Sequence, residues 1–398
     1  MATTAPVAVV AATSRLLYAL FVVATWLALV PEVSADEASG RISGNVELRT
    51  NYFWENSTRI VAPVVSTQLD TARGVKIDGY YLVDAITSAS VGAGAQTDVR
   101  FTEVRNEFGL GGSYEFHLRN GMHLRTGAFF RYSHEPDYVS YGVIPTIQLA
   151  MNDRSTVLRL RGVFMHDDVG QVFRIGAQEA PMGGGGMTAN TFAQSFNTIL
   201  LSPMLEQTLS RVALLLVGYD FGYLDGYLSS PYRQATVNGR LEPENHPDTR
   251  IRNNLWARIQ YAFPESGTAL HFTLRGYIDS WDVAAVTPEV RVYQDLGSNL
   301  MFRLRYRYYK QSAADFYGGA PLGMYSGNPL YYTADPKMTR FHVNEPGFSL
   351  VWFFPNLDAR GLTWLSGAQL ELTFDWRFNT NRFGDAVIST CAFRLPIR

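Results

Sequence analysis

Apolar and polar residues alternate along much of this chain after residue 35. In residues 369–379 the apolar positions are Leu370, Leu372, Phe374, Trp376 and Phe378. In residues 250–263 they are Ile251, Leu255, Ala257, Ile259, Tyr261 and Phe263. Because successive side chains of a strand point to opposite faces, a period of two predicts strands with one apolar and one polar face. Similar strands are predicted to begin near Arg41, Val75, His123, Tyr138, Thr156, Thr268 and Leu300.

The predicted strands are long. They run on the order of ten to fourteen residues, whereas strands of soluble sandwiches and propellers average about five or six. A tilted strand needs about nine to eleven residues to cross a bilayer. No stretch after residue 35 carries an apolar stripe at helical spacing. Strand length therefore favours a transmembrane β-barrel over a soluble all-β domain.

Short and long connections alternate between these strands. The even-numbered connections are short and rich in turn-forming residues: 71–74, 119–122, 152–155, 203–207, 264–267 and 295–299. The long connections, near 167–190, 223–248 and 312–337, all have odd numbers. In outer-membrane barrels short periplasmic turns alternate with longer external loops. We therefore predict an all-β fold, a transmembrane antiparallel up-and-down barrel of about 16 strands. Because connection 355–366 is longer than the other even-numbered connections, strand numbers from roughly 14 to 18 stay possible.

The N-terminus carries the chain's one long apolar run, residues 16–30. Arg15 precedes this run, and the small residues Val33, Ser34 and Ala35 follow it. This order predicts a cleaved secretory signal peptide over residues 1–35 and a single outer-membrane barrel domain over 36–398. The alternative, a membrane anchor, requires about 20 apolar residues. Export through a signal peptide agrees with a location in the bacterial outer membrane.

Composition narrows the functional classes. Lys and Arg number 34 against 36 Asp and Glu, for a net charge of -2. This balance excludes a nucleic-acid binder with a strongly basic face. Hydrophobic residues make up 46% of the chain, yet mean hydropathy is only -0.06, which excludes a protein of many membrane helices. The single Cys391 leaves no disulfide framework and is expected on the lipid-facing side.

If the apolar faces meet lipid, the polar faces line the interior. We predict a channel wall formed by Glu103, Arg105, Glu107, Arg125, Arg131, Arg159, Arg161, Arg250, Arg252, Arg258, Arg275, Arg303, Arg305, Arg307, Glu371 and Asp375. Alternation assigns roughly 18 bases and about 12 acids to this wall, a surplus near six. A positive wall concentrates anions, so the surplus predicts a weak anion preference. The alternative role of these charges is a network of ion pairs that stiffens the wall.

Signatures of catalysis and metal binding are absent from the sequence. There is no Gly-x-Ser-x-Gly, His-Glu-x-x-His or phosphate loop, and His residues number only 7. Two groups hold possible metal ligands, His166 with Asp167 and Asp168, and Glu244 with His246 and Asp248. Neither has a recognised ligand spacing. We therefore predict no enzyme, no metal and no cofactor.

Five segments resemble a known family. They are 84–90 (DAITSAS), 226–233 (GYLSSPYR), 244–252 (ENHPDTRIR), 305–317 (RYRYYKQSAADFY) and 332–336 (YTADP). The family is that of uncharacterised, porin-like outer-membrane β-barrels of Gram-negative bacteria, a domain of unknown function, and the likeness begins near residue 75. These segments map to strand tips and external loops, where they are expected to shape the mouth or a plug. The final strand departs from usual barrels because it lacks a terminal aromatic residue.

The resemblance implies partners but carries over no catalytic or binding residues. The partners implied are outer-membrane lipid, small solutes and the barrel assembly machinery. Genes of this family often neighbour thioredoxin-like proteins, a small lipoprotein and a flavin transferase, which implies periplasmic redox proteins or a lipoprotein as further partners.

Three functions follow from the sequence. The first is a porin-like channel with an Arg-rich lumen for small solutes, with anions preferred. The second is a plugged barrel that serves as a scaffold or as a partner in a secretion or redox system. The third, a lipid-modifying enzyme embedded in the barrel, needs Ser, His and carboxylate groups to converge, and His is scarce.

Overall fold

The structure is a computed structural model that describes residues 42–56, 58–71, 74–89, 100–118, 121–171, 191–231, 233–318, 324–355, 357 and 361–397. The predicted signal peptide, residues 1–35, lies outside the described residues. Among the residues described, no helix is long and apolar enough to cross a membrane.

The described residues form nineteen strands, numbered here in chain order. The first nine are β1 (Ser43–Glu55), β2 (Thr58–Asp70), β3 (Val75–Ala89), β4 (Arg100–His117), β5 (His123–His134), β6 (Tyr138–Met151), β7 (Thr156–Gln171), β8 (Thr191–Thr208) and β9 (Ala213–Gly226). The others are β10 (Gln234–Val237), β11 (Arg240–Pro243), β12 (Thr249–Phe263), β13 (Thr268–Asp279), β14 (Ala284–Asp295), β15 (Leu300–Gln311), β16 (Met324–Tyr325), β17 (Phe341–Phe354), β18 (Ala368–Asn379) and β19 (Ala386–Ile397). Short 3₁₀ turns occur at Pro336–Met338 and Thr363–Leu365.

All strands except β10, β11 and β16 form one closed antiparallel barrel of 16 strands, in which β1 pairs with β19. The predicted fold class and strand number are thereby confirmed. Closure of the barrel gives each barrel strand two hydrogen-bonded neighbours, so the barrel has no exposed sheet edge. The predicted strand starts at Val75, His123, Tyr138, Thr156, Thr268 and Leu300 coincide with the observed ones.

The two faces of the barrel wall differ in chemistry. Along β12, Leu255, Ile259 and Tyr261 are exposed, whereas Arg252 and Arg258 are half-buried between them. Leu255 is 60% exposed, a fraction unusual for leucine in a water-soluble fold. The apolar side chains therefore point outward and the polar side chains inward, and residues paired across strands share one of these faces.

The two ends of the barrel also differ. Short turns at 71–74, 152–155, 209–212, 264–267 and 296–299 lie at the end where β1 starts and β19 stops, here called the turn end. One predicted turn, 203–207, is wrong because β8 continues to Thr208 and turns at 209–212. Pro203 is tolerated in β8 because the β8–β9 register skips this position, so the missing N–H costs no ladder bond there.

At the opposite end, here called the loop end, two connections are folded onto each other. β7 continues to Gln171 and β9 to Gly226, so the loops begin later than the predicted 167 and 223. Residues 227–248 contain β10 and β11, and residues 312–340 contain β16. These three strands form a small sheet in which β10 pairs in parallel with β16. The two connections therefore form one unit at the loop end.

Candidate functional site in the barrel interior and at the loop end

Among the described side chains, the inward face carries bases and acids in nearly equal number. The bases assigned to it by the strand register are Arg49, Lys76, Arg105, Arg125, Arg131, Arg159, Arg161, Arg250, Arg252, Arg258, Arg275, Arg291, Arg303, Arg305, Arg307, Arg377 and Arg394. The acids are Glu47, Glu55, Asp70, Asp78, Asp84, Glu107, Glu115, Asp167, Glu206, Asp220, Asp279, Glu289, Asp295, Glu345, Glu371 and Asp375. The predicted surplus of bases is therefore wrong. Strands β7 and β8 are longer than predicted, which brings Asp167 and Glu206 from expected connections onto the wall.

Every predicted wall residue whose side chain is described lies on this inward face. Glu103 lies on β4 opposite Ile86, but its side chain is outside the described part of the structure. Most of the others are ion-paired. Arg105 pairs with Asp84 at 2.9 Å, Arg131 with Glu107 at 2.6 Å, Arg125 with Glu115 at 2.8 Å, Arg159 with Glu206 at 3.1 Å and Arg303 with Glu371 at 3.2 Å.

Glu345 is the centre of the densest of these networks. Its carboxylate contacts Arg305, Arg307 at 3.8 Å and Arg377 at 2.8 Å. Arg305 also reaches Asp375 at 3.2 Å. The Glu345 side chain is only 3% exposed, so its negative charge is sheltered and shared by three guanidinium groups. Removing any one of these arginines would leave part of a buried negative charge without compensation, which destabilises the fold.

Within the part of the chain that the structure describes, four inward arginines make no ion pair: Arg161, Arg252, Arg258 and Arg275. Arg258 donates from Nε to Thr273 Oγ1 at 2.9 Å. Arg161 and Arg275 are exposed although they point into the barrel. An inward side chain can be exposed only where the interior has room for water. The wall therefore contains unpaired positive charge next to open space.

Asp279 organises the loop end of the barrel wall. Its Oδ2 accepts hydrogen bonds from Arg250 Nε at 2.9 Å and from the Tyr277 hydroxyl at 2.6 Å. Its Oδ1 accepts the backbone N–H groups of Trp281 at 2.9 Å and Val283 at 3.1 Å. Asp279 therefore fixes both a wall arginine and the turn that places Trp281 over the barrel mouth.

Trp281 is 3% exposed and anchors an apolar cluster at this mouth. The cluster contains Val283, Ala314 and Met338, with Leu228, Tyr277, Phe316 and Tyr317 against it. The indole Nε1 donates to Thr249 O at 3.0 Å. The cluster thus joins the turn after β13 to both long connections, and residues from three parts of the chain pack together at the mouth.

A buried polar network also joins the two long connections. Glu244 Oε1 accepts from Thr333 Oγ1 at 2.6 Å and from Ala334 N at 2.9 Å. Arg233 pairs with Asp335 at 2.9 Å. His246 is 4% exposed, directs Nδ1 toward Leu228 O at 3.1 Å and leaves Nε2 without a hydrogen bond. Burial lowers the pKa of His246 below its ordinary value, so the ring is neutral at pH 7.

Behind these loops lies a cavity of about 760 Å³. Its lining includes Arg105 of β4, Met165 of β7 and Arg252 of β12, together with Leu228 and Trp281 of the loops. Strands that far apart in the barrel can line one cavity only from the inside. The loops therefore narrow the mouth and leave a chamber between themselves and the wall.

The two metal-ligand groups considered from the sequence are separated by the fold. In β7, His166 and Asp168 point outward and Asp167 inward, so the three do not converge. Glu244 lies 3.6 Å from His246, while Asp248 is exposed and apart from them. Glu115, His117 and His123 do come within 4.8 Å of one another at the turn end. Arg125 and Arg154 already occupy the Glu115 carboxylate, which disfavours a cation there.

Sequence reasoning missed Asp279 and Trp281 as the centre of the mouth. The sequence Asp279-Ser280-Trp281-Asp282 directly after a predicted strand could have indicated this turn. In such turns an aspartate side chain often accepts a hydrogen bond from the backbone N–H two residues later. The resembling segments 226–233, 244–252 and 332–336 all take part in the folded loops, as expected for segments that shape the mouth.

A closed antiparallel barrel with an apolar exterior and a charged interior defines the class of porin-like barrels. By sequence, residues 86–356 match the family described as "Protein of unknown function (DUF3570)", and the chain belongs to that family. The resemblance stated from the sequence is thereby confirmed. No curated protein sequence matches the chain.

Several solved structures are similar to the barrel at low sequence identity. A BenF-like porin from Pseudomonas fluorescens Pf-5 shares 11% identity over 89% of this chain and 98% of the porin, with a TM-score of 0.43. Pseudomonas aeruginosa OprD shares 8% over 91% and 98%, also at 0.43. The CymD monoaromatic hydrocarbon channel shares 10% over 91% and 90%, at 0.43.

Proposed function

We propose that this protein is a porin-like channel of the Gram-negative outer membrane that passes small solutes and prefers anions. The observation that carries the proposal is that Arg161 and Arg275 are exposed and point inward within a closed barrel, and that neither has an ion-pair partner among the described residues. A dry interior would place these charges in a low dielectric without a partner, at a cost of several kcal/mol each. A water-filled lumen avoids this cost.

Anion preference comes from the distribution of charge, since the inward bases and acids nearly balance. Ion pairs neutralise most of the wall. Among the described residues, the inward charges outside these pairs include Arg161, Arg252, Arg258 and Arg275 and the acids Asp78, Asp167, Asp220 and Asp295, so selectivity depends on where the arginines cluster. Three of these arginines lie on the neighbouring strands β12 and β13 and form one positive stripe. Such a stripe raises the local concentration of anions, and salt weakens the effect.

Outer-membrane lipid on the apolar face and small solutes in the interior are the partners that this function requires. The function needs no catalytic group, metal or cofactor.

Planar-bilayer recording of the refolded protein tests the proposal. We expect stepwise conductance, with a reversal potential in a KCl gradient that shows chloride preference. Replacing both exposed arginines, Arg161→Gln with Arg275→Gln, is expected to reduce this preference while the steps persist. Cation preference in the unmodified protein would contradict the proposed selectivity.

The folded loops favour a second candidate function, a plugged barrel that serves as a scaffold for another protein. The carrying observation is the packing of Trp281, Phe316 and Met338 into one apolar cluster at the loop end. In the same recordings a plugged barrel gives no steps, and conductance appears only when residues 312–340 are shortened. Steady conductance of the intact chain would reject the scaffold in favour of the channel.

A further inference from the structure

Five arginines line the cavity behind the loops, and one of them has no carboxylate partner among the described residues. Arg105, Arg131 and Arg233 pair with Asp84, Glu107 and Asp335. Arg250 pairs with Asp279. Arg252 makes no ion pair, and its Nε is buried without a hydrogen-bond partner. The cavity therefore contains one guanidinium group that has no carboxylate partner of its own and whose buried Nε donates no hydrogen bond.

The fold explains why Arg252 is left without a partner. Its neighbour in the strand register is Asp279, the obvious candidate. Both oxygens of that carboxylate are already engaged, Oδ2 by Arg250 and Tyr277 and Oδ1 by backbone N–H groups. On its other side Arg252 faces Gly222, which has no side chain. Arg252 thus has an acid that is already engaged on one side and a residue without a side chain on the other.

The rest of the lining is mixed. It includes the carboxyl groups of Glu135, Asp137, Asp167 and Asp335, whereas the side next to Arg252, formed by β8, β9 and the following loop, carries Phe196, Leu224 and Leu228. The cavity volume of about 760 Å³ falls within the usual range of small-molecule sites. An arginine beside an apolar surface suits a ligand with one anionic group and a compact apolar body, because a guanidinium binds a carboxylate through two parallel hydrogen bonds.

We propose that this cavity is a binding site for small organic carboxylates, with the carboxylate held by Arg252 and the apolar body packed against Phe196, Leu224 and Leu228. This inference rests on the proposed channel and names its solute class. The site lies at the loop end, where a solute entering the barrel from outside arrives first. A weak site there concentrates the solute and still releases it into the lumen.

Isothermal titration of the full-length protein in detergent micelles tests the proposal, with benzoate as the probe and benzamide as its neutral counterpart. We expect saturable benzoate binding and none by benzamide. Arg252→Gln is expected to weaken benzoate binding by at least about tenfold, because it removes both charge and paired donors. Arg258→Gln removes another inward arginine without an ion pair, which is not among the residues lining the cavity, and is expected to leave binding unchanged.

Equal weakening in the two variants, or equal binding of benzamide, would overturn the site. If Arg252→Gln fails to fold, Arg252→Lys replaces it, with an intermediate affinity expected because the charge stays and the paired donors are lost. Titration does not require conduction. Benzoate binding by a barrel without conductance would reject the channel and keep the binding site. Conductance without benzoate binding would keep the channel and reject the binding site.

Discussion

The guanidinium group of Arg250 lies over the indole ring of Trp281, with its Cζ atom 4.1 Å from the ring centroid. Arg250 belongs to the barrel wall and Trp281 to the turn that closes the mouth. A cation–π contact in a desolvated setting contributes about 2 kcal/mol. Asp279 holds both partners, so the wall and the mouth are coupled through one carboxylate.

Replacement of Asp279 is expected to loosen the mouth and destabilise the barrel. Asp279→Asn leaves the buried Arg250 without a counter-charge, and breaking a buried ion pair costs about 3–5 kcal/mol. We expect a loss of that order in the free energy of unfolding, measured by urea titration in micelles. Asp282→Asn in the same turn is the control, and asparagine tolerates its φ of 61°. Equal stability of both variants would show that Asp279 does not carry this coupling.

Variants of Glu345 and Glu371 compare how much a buried and a partly exposed wall carboxylate contribute to the stability of the barrel. Both are inward carboxylates, but Glu345 is 3% exposed with three arginines and Glu371 is 31% exposed with Arg303 alone. Glu345→Gln is expected to lower the free energy of unfolding by about 3–5 kcal/mol. Glu371→Gln is expected to lower it by at most about 1 kcal/mol. Each variant removes one negative charge, so both are expected to increase chloride preference similarly.

Glycines inside the wall make room for aromatic rings. A Cβ at Gly218 would lie 2.4 Å from the ring of Trp256, whereas a Cβ at Gly276 would meet nothing within 4 Å. Gly218→Ala is therefore expected to displace Trp256 and to destabilise the barrel by about 1–3 kcal/mol. Gly276→Ala is the matched control, with little or no loss. The reverse order in urea titration would contradict the packing.

The loop end is expected to loosen at acid pH through His246. Because burial lowers its pKa in the folded state, the unfolded loops bind a proton first as pH falls below about 6.5, and the folded loops lose stability there. The negative charges of Glu244 and Asp335 raise the pKa of His246 and so reduce this loss, whereas the positive charge of Arg233 lowers the pKa further. We expect faster limited proteolysis of the loops at pH 5.5 than at pH 7.5.

The pH effect has a specific control. His246→Gln cannot titrate, so its proteolysis is expected to change little between the two pH values. His134→Gln, at an exposed position at the end of β5, is expected to keep the pH response of the unmodified chain. If His246→Gln retained the full response, another group would be responsible.

The barrel was predictable from sequence because alternation is local and repeats in each strand. Turn-forming residues located most connections, and the error at 203–207 arose because Pro203 lies in a strand at a position that needs no N–H. The mouth was not predictable. Thr333 and Glu244 are 89 residues apart in sequence, and their hydrogen bond exists only after the barrel brings both connections together. The predicted surplus of positive charge on the wall was wrong because the count depends on exactly where strands end, and Asp167 and Glu206 lie within strands that are longer than predicted.

Cysteine labelling along β12 tests most directly whether lipid lies outside this barrel and water inside. In a Cys391→Ser background, the neighbouring variants Ile259→Cys and Gln260→Cys place a thiol on opposite faces of one strand. In liposomes, a charged methanethiosulfonate reagent is expected to react at least about ten times faster at position 260 than at 259, because only the inward face contacts water. Equal rates, or faster reaction at 259, would contradict the account.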